Sequence, residues 1–143
     1  MFTTTSQVPL SRKLITTLIK KGTEVTEAIN ATVKEHGITL QQFNVLRILR
    51  GRKGAVASLQ DVSKDMIHAN SNTTRVIDKL VDKKYVKRVQ CPTDRRQIEL
   101  TITEGGLNLL KILDEKVDAT EEQLTQNLDE VTMKFLLEQL NRL

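Results

Sequence analysis

Between Tyr85 and Thr103 the apolar period of this chain changes from helical to extended and back. The run "YVKRVQ" alternates Tyr85, Lys87 and Val89 with Val86, Arg88 and Gln90. The run "QIELTIT" alternates Ile98, Leu100 and Ile102 with Glu99, Thr101 and Thr103. Two period-two runs around "CPTDRR" predict a β-hairpin. Pro92 falls in its turn region, where it breaks no ladder. The rest of the chain reads as helix, so the fold must accommodate one hairpin among helices.

Leu10, Leu14, Leu18, Val25, Ile29 and Val33 recur at helical spacing and predict one long helix over residues 10–35. Gly22 lies inside it, a local weakness of roughly 1 kcal/mol against Ala. Gly37 is suited to the left-handed position that ends it. Thr39 with Gln42 forms a capping-box pattern that opens a short helix, "LQQFNVLRILR", with Leu40, Phe43, Leu46 and Ile48 or Leu49 facing inward. "GRKGA" stops that helix, and Ser58 with Asp61 opens the next, "SLQDVSKDMI". After a turn around His68–Asn70, "SNTTRVIDKLVDKK" forms another helix with Val76, Ile77, Leu80 and Val81 inward. These two helices are too short to persist alone and need the helix at 40–50 to pack against. Thr103 caps a helix over about 104–124, and "NLDE" at Asn127–Glu130 opens a last one running to the C-terminus.

The order helix, helix, turn, helix, hairpin is that of a winged helix-turn-helix, a mainly α fold (α+β). Its charge is unevenly placed. Residues 1–43 carry +2, residues 44–96 carry +8 and residues 97–143 carry −6. A basic middle beside an acidic tail suggests a polyanion-binding segment apart from a segment with another job.

Candidate contacts with DNA follow from chemistry. On the second helix of the pair, Asn70, Ser71, Asn72, Thr73, Thr74, Arg75 and Lys79 offer amide, hydroxyl and cationic groups. Such groups pair with base edges and phosphates. Asn70 and Ser71 can equally be N-caps, which favour Ser and Asn regardless of function. On the hairpin, Arg88, Asp94, Arg95 and Arg96 are the candidates. An exposed Arg has long reach and a planar fork that suits phosphates and a narrow minor groove, and Asp94 can hold one guanidinium in place.

From about Gln41 to Gly106 the sequence resembles the MarR family of bacterial regulators, named for multiple antibiotic resistance. The matching blocks are "TRVIDKLVDKKYVKR" at Thr74–Arg88, "DRR" at Asp94–Arg96 and "ITEGG" at Ile102–Gly106, at the family's spacing. The flanking helices fit as well, so the resemblance covers nearly the whole chain. Two features depart from the pattern. Lys84 stands where the family usually has Gly, and Gly105 precedes Gly106 where one Gly is usual.

The resemblance implies a homodimer with interlocked N- and C-terminal helices, binding a pseudo-palindromic site in double-stranded DNA as a repressor. It implies dimerisation regions at 1–38 and 104–143 around a DNA-binding module at 39–103. The apolar stripes Leu10, Leu14, Leu18 and Val131, Phe135, Leu136, Leu140 at opposite ends of the chain independently call for a partner, in a second copy or within one chain. Family members often take small aromatic or anionic effectors, and some sense oxidants through a Cys near the N-terminus. The four aromatic residues here, Phe2, Phe43, Tyr85 and Phe135, argue against an aromatic-lined pocket.

Other classes are poorly supported. No nucleophile–base pair, Gly-rich phosphate loop or metal-ligand spacing points to an enzyme, a cofactor or a metal. One Cys excludes an internal disulfide, and two His make a zinc site unpromising. No run of about 18 apolar residues predicts a membrane span, and the N-terminus lacks a signal-peptide pattern. A reducing cytoplasm is the simplest compartment. Two alternatives stay open: a winged-helix module that docks acidic protein partners, and a thiol switch at Cys91, where nearby arginines can lower the thiol pKa. His36 and His68 read as surface or turn residues.

Overall fold

The computed structural model describes residues 7–68 and 72–143. Its order is α1 (Leu10–Lys34), α2 (Leu40–Gly51), α3 (Leu59–Asp65), α4 (Thr73–Asp82), β1 (Val86–Gln90), β2 (Ile98–Ile102), α5 (Glu104–Leu124) and α6 (Glu130–Leu140). This is the winged helix-turn-helix expected from the sequence, with a long helix before it and two after it. None of the helices is long and apolar enough to cross a membrane among the described residues.

Local chemistry sets most boundaries. α1 runs unbroken through Gly22 and stops where Gly37 takes φ +78°. Thr39 and Gln42 close a full capping box on α2, as Ser58 and Asp61 do on α3. Thr103 accepts from the Gly106 amide at 3.1 Å and starts α5, and Asp129 accepts from the Thr132 amide at 2.7 Å and starts α6. α3 is shorter than its sequence suggests. Met66 is extended (ψ 138°) and buries its side chain from outside the helix. α6 ends at Leu140, three residues before the C-terminus.

One core runs from the end of α1 to α5. Val33 from α1, Phe43, Val45, Leu46 and Leu49 from α2, Val62 from α3, Ile77 and Leu80 from α4, Leu100 from β2 and Leu110, Leu113 and Val117 from α5 are all buried. α2 lies at its centre, packing against α1, α3, α4, α5 and β2. That is why Val45, outside any single inward stripe, is fully buried. A residue unforeseen in the sequence extends the hairpin: Ala57 exchanges both backbone hydrogen bonds with Leu100, at 3.0 and 2.8 Å, and forms an isolated third rung.

The ends of the chain are different. No residue of α6 is buried, and the first half of α1 is exposed throughout. Leu10 is 83% exposed and Val131 77% exposed. Leu14, Leu18, Phe135, Leu136 and Leu140 are exposed as well. Among the described residues, the two apolar stripes are therefore left largely open.

The base of the hairpin is a tight corner. α4 ends in a Schellman arrangement, with the Lys84 amide on the Val81 carbonyl at 2.9 Å and the Tyr85 amide on the Leu80 carbonyl at 3.0 Å. Lys84 is left-handed, φ +64°. Its carbonyl accepts from the Thr103 hydroxyl at 2.7 Å, and the Tyr85 carbonyl accepts from the Thr103 amide at 3.0 Å. α5 starts so close to this strand that a Cβ on Gly106 would lie 2.5 Å from the Tyr85 carbonyl oxygen and 2.7 Å from Ile102 Cγ1. A Cβ on Gly105 would meet nothing nearer than 3.6 Å. The doubled glycine thus has one required member.

Substitutions at this corner separate the two departures from the family pattern. Gly106→Ala should destabilise by about 1–3 kcal/mol through overpacking, whereas Gly105→Ala should be neutral or stabilising by up to about 1 kcal/mol. Lys84→Gly should stabilise by about 1 kcal/mol by relieving a left-handed side-chain residue. Denaturant midpoints at constant slope would read all three.

Candidate nucleic-acid interface

α4 starts later than the sequence suggests. Asn72 is its N-cap, accepting from the Arg75 amide at 3.3 Å, and Thr73 is its first residue. Helical spacing then decides which side chains face inward. Thr73, Ile77 and Leu80 share one stripe at i, i+4 and i+7, and all three are buried. Thr73, only 7% exposed, is therefore part of the inner face rather than of the exposed one, a correction to its place among the candidate contacts. Thr74, Arg75 and Lys79 are exposed. Asn72 is exposed too, but its carbonyl oxygen is engaged in capping. Asn70 and Ser71 lie outside the described residues.

The far end of α4 is anchored. Lys83 Nζ donates to the Gly37 carbonyl and, at 3.4 Å, to Gln42 Oε1. α4 is thereby tied to the α1–α2 corner by Lys83, a residue that the sequence did not single out.

In the wing, β1 and β2 pair antiparallel, with Val86 opposite Ile102, Arg88 opposite Leu100 and Gln90 opposite Ile98. The tip is held by backbone and side-chain bonds. Asp94 Oδ1 accepts from the Arg96 amide at 3.0 Å, the Asp94 carbonyl accepts from the Gln97 amide at 3.0 Å, and the Gln97 carbonyl accepts from the Cys91 amide at 2.9 Å. Gln90 Nε2 donates to the Arg95 carbonyl at 2.7 Å. Asp94 thus shapes the turn through a backbone amide; it does not hold a guanidinium, as its neighbours had suggested. Arg95 and Arg96 are exposed, and neither makes an ion pair among the described residues.

Arg88 is placed differently from the tip arginines. Its guanidinium bonds Asp78 Oδ1 of α4 at 2.6 Å. Asp78 is an acidic residue between Arg75 and Lys79, and a second carboxylate, the exposed Asp82, follows it one turn on.

Next to the wing, a cleft of about 470 Å³ is lined by Ser58, Gln60 and Asp61 of the α3 start and by Arg96, Gln97 and Ile98 of the wing. The Asp61 carboxyl is held below the ordinary range by hydrogen bonds with Ser58, chiefly its backbone amide, with Arg52 at 3.6 Å adding to this. Arg96 lines this cleft without an ion-pair partner among the described residues.

Cys91 is half-buried, and its thiol pKa is lowered. The cause is the Thr93 hydroxyl, 3.3 Å from the sulfur, followed by the amides of Thr93 and Asp94, while partial burial and then Glu99 oppose it. The direction matches the sequence expectation, but hydrogen bonding replaces the arginines as its source. His68 is exposed and His36 half-buried.

Two further clefts flank the module. One, of about 590 Å³ and almost wholly apolar, runs between α1, α5 and α6 and is lined by Leu14, Leu18, Val25, Leu124, Leu136 and Leu140 among others. The other, of about 100 Å³, lies between α1, α2 and α5, with Phe43, Asn44, Arg47 and Glu121 in its wall. Arg47 stacks over Phe43 there, 4.9 Å from the ring centre.

Comparison with known proteins agrees with this geometry. A family model described as "MarR family" matches residues 38–98. The HTH-type transcriptional regulator MhqR of Bacillus subtilis is 30% identical over 132 residues, which cover 92% of this chain and 90% of MhqR. Among solved structures, a mutant MarR from E. coli complexed with operator DNA superposes with a TM-score of 0.81 at 24% identity, covering 94% of this chain and 98% of that one. Bordetella bronchiseptica BpsR, whose DNA binding is regulated by 6-hydroxynicotinic acid, superposes with a TM-score of 0.81 at 22% identity, covering 91% of this chain and 97% of its own.

Proposed function

The chain belongs to the MarR family of transcriptional regulators, and we propose that it works as a homodimeric, ligand-responsive repressor on a pseudo-palindromic operator in double-stranded DNA. The observation that carries this reading is the pairing of two unshielded cationic elements. Arg75 and Lys79 stand exposed on α4, and Arg95 and Arg96 stand exposed at the wing tip without carboxylate partners among the described residues. A helix of this kind suits the major groove, and an adjacent hairpin suits the flanking backbone or minor groove. Thr74 and Arg75 are the side chains for base edges. Arg95 and Arg96 are those for phosphates or the minor groove.

In this reading residues 39–103 form the DNA-binding module, and residues 1–38 and 104–143 form the dimerisation region. The exposed stripes on α1 and α6, and the apolar cleft between α1, α5 and α6, are the surface that a second copy covers. A self-complementary patch of this kind builds a two-fold dimer, which presents two α4 helices to two half-sites about 34–36 Å apart. Effector control fits the small cleft between α1, α2 and α5. Arg47 in its wall offers one cation to the acid group of a small ligand, with Glu121 restricting where that group can sit, and BpsR is a relative in fold whose DNA binding answers to 6-hydroxynicotinic acid. A ligand there would shift the two wings out of register with the half-sites.

Fluorescence anisotropy with the DNA upstream of the protein's own gene tests DNA binding. A protein neutralising about 6–10 phosphates loses roughly 10³–10⁵ in affinity between about 50 and 200 mM salt. Arg95→Ala should weaken binding on every duplex and reduce the salt slope by about 1. Weak binding that is flat in salt, indifferent to sequence and unchanged by Arg95→Ala would overturn the reading.

A further inference from the structure

The wing has few anchors beyond its base. Val86 and Leu100 are buried, and Ala57 holds Leu100 through its backbone, but every residue from Lys87 to Gln90 and from Pro92 to Ile98 is exposed. Arg88 lies at the boundary between the two regions, opposite Leu100. From there it reaches out of the hairpin to Asp78, in the middle of α4. Both side chains of the pair are part-exposed, at 39% and 45%.

The packing beneath the pair is incomplete. A gap of about 30 Å³, almost wholly apolar, lies between α4 and the wing, lined by Thr74 and Ile77 on one side and by Arg88, Ile98 and Leu100 on the other, with Leu59 of α3 closing it. The apolar packing between the wing and α4 thus leaves a void about the size of one water beside Arg88.

The charge at Asp78 also needs an account. A carboxylate between Arg75 and Lys79 opposes the binding of a polyanion by that surface. Its presence is explained if it acts on Arg88.

We propose that Asp78 and Arg88 form a strut that sets the spacing between α4 and the wing, so that Arg88 is a positioning residue rather than a phosphate ligand. The strut holds the wing tip, with Arg95 and Arg96, at one offset from Thr74 and Arg75. An exposed ion pair contributes little to global stability. Its loss should therefore appear in the motion and placement of the wing and leave the unfolding midpoint nearly unchanged. For its role in binding, this inference rests on the DNA-binding reading above; for the wing geometry it does not.

Cys91 gives a direct probe, since it is the chain's single cysteine and lies in the wing. A spin label or small fluorophore on Cys91 would be compared in wild type, Asp78→Asn, Arg88→Gln and the swapped pair Asp78→Arg with Arg88→Asp, all without DNA. Both single variants should widen the amplitude of wing motion, and the swapped pair should narrow it again. Wild-type amplitude in both single variants would overturn the strut.

The same proteins would then be titrated with the upstream DNA over a range of salt. The strut predicts that Asp78→Asn binds about five- to tenfold more weakly, within the usual range for coupled neighbours, with its salt slope unchanged. Tighter binding by Asp78→Asn would mean that Arg88 serves phosphates once released, and would overturn the proposal. If wild type itself does not bind the DNA, the DNA-binding reading fails, and the label on Cys91 still decides the strut.

Discussion

Gln42 is 3% exposed and joins three helices. Its side-chain oxygen accepts from the Thr39 amide at 3.2 Å, completing the cap of α2, and from Lys83 Nζ at 3.4 Å. Lys83 also donates to the Gly37 carbonyl at the end of α1. The start of α2, the end of α1 and the end of α4 are thus fixed by one satisfied polar cluster at the edge of the core. Neither α3 nor α4 is long enough to persist alone. Both pack against α2, against each other and against the hairpin, so the placement of α2 helps to decide the placement of α4. A buried polar group of this kind costs stability unless paired, and pairing makes the geometry specific.

The parts of the fold that were legible in the sequence are local. Thr39 with Gln42, Ser58 with Asp61, and Thr103 each advertise a helix start within four residues, and the structure uses all three. The hairpin was legible for the same reason: alternation is a property of neighbours. The start of α4 was obscured because three polar residues in a row, Asn70, Ser71 and Asn72, can all cap. Thr73 shares a stripe with the inward Ile77 and Leu80 whichever of them caps, so its inward place was legible; its hydroxyl was instead read for its DNA-binding chemistry. Partners far apart in the chain left no local trace. The Leu40 amide is bonded by Asn30 Oδ1 at 3.0 Å, Leu100 by Ala57, and Asp114 by Arg50 at 2.5 Å. Arg88 and Asp94 carried the right chemistry for contacts with DNA. The structure instead engages Arg88 with α4 and Asp94 with a backbone amide.

Charge and apolar surface divide the molecule in a consistent way. The basic residues concentrate where α4 and the wing stand out from the core, and the acidic residues lie along α5 and α6. The ion pair between Arg50 of α2 and Asp114 of α5 joins the module to the long helices, and the hydroxyl contact between Thr32 of α1 and Thr120 of α5, at 2.8 Å, joins those helices to each other. Those helices bury one side in the module and leave the other apolar and open. Contiguous exposed apolar surface of that extent marks an interaction site in a folded protein. Opposite ends of one chain converge on it, so a second copy is the simplest cover.

Sedimentation equilibrium of the free protein tests that claim most directly. The account predicts a particle of twice the 16.2 kDa chain mass. It also predicts that Leu136→Asp, placed on the open face of α6, shifts the particle towards the single chain while α4 and the wing remain folded. A single-chain mass for wild type at micromolar concentration, unmoved by Leu136→Asp, would contradict it.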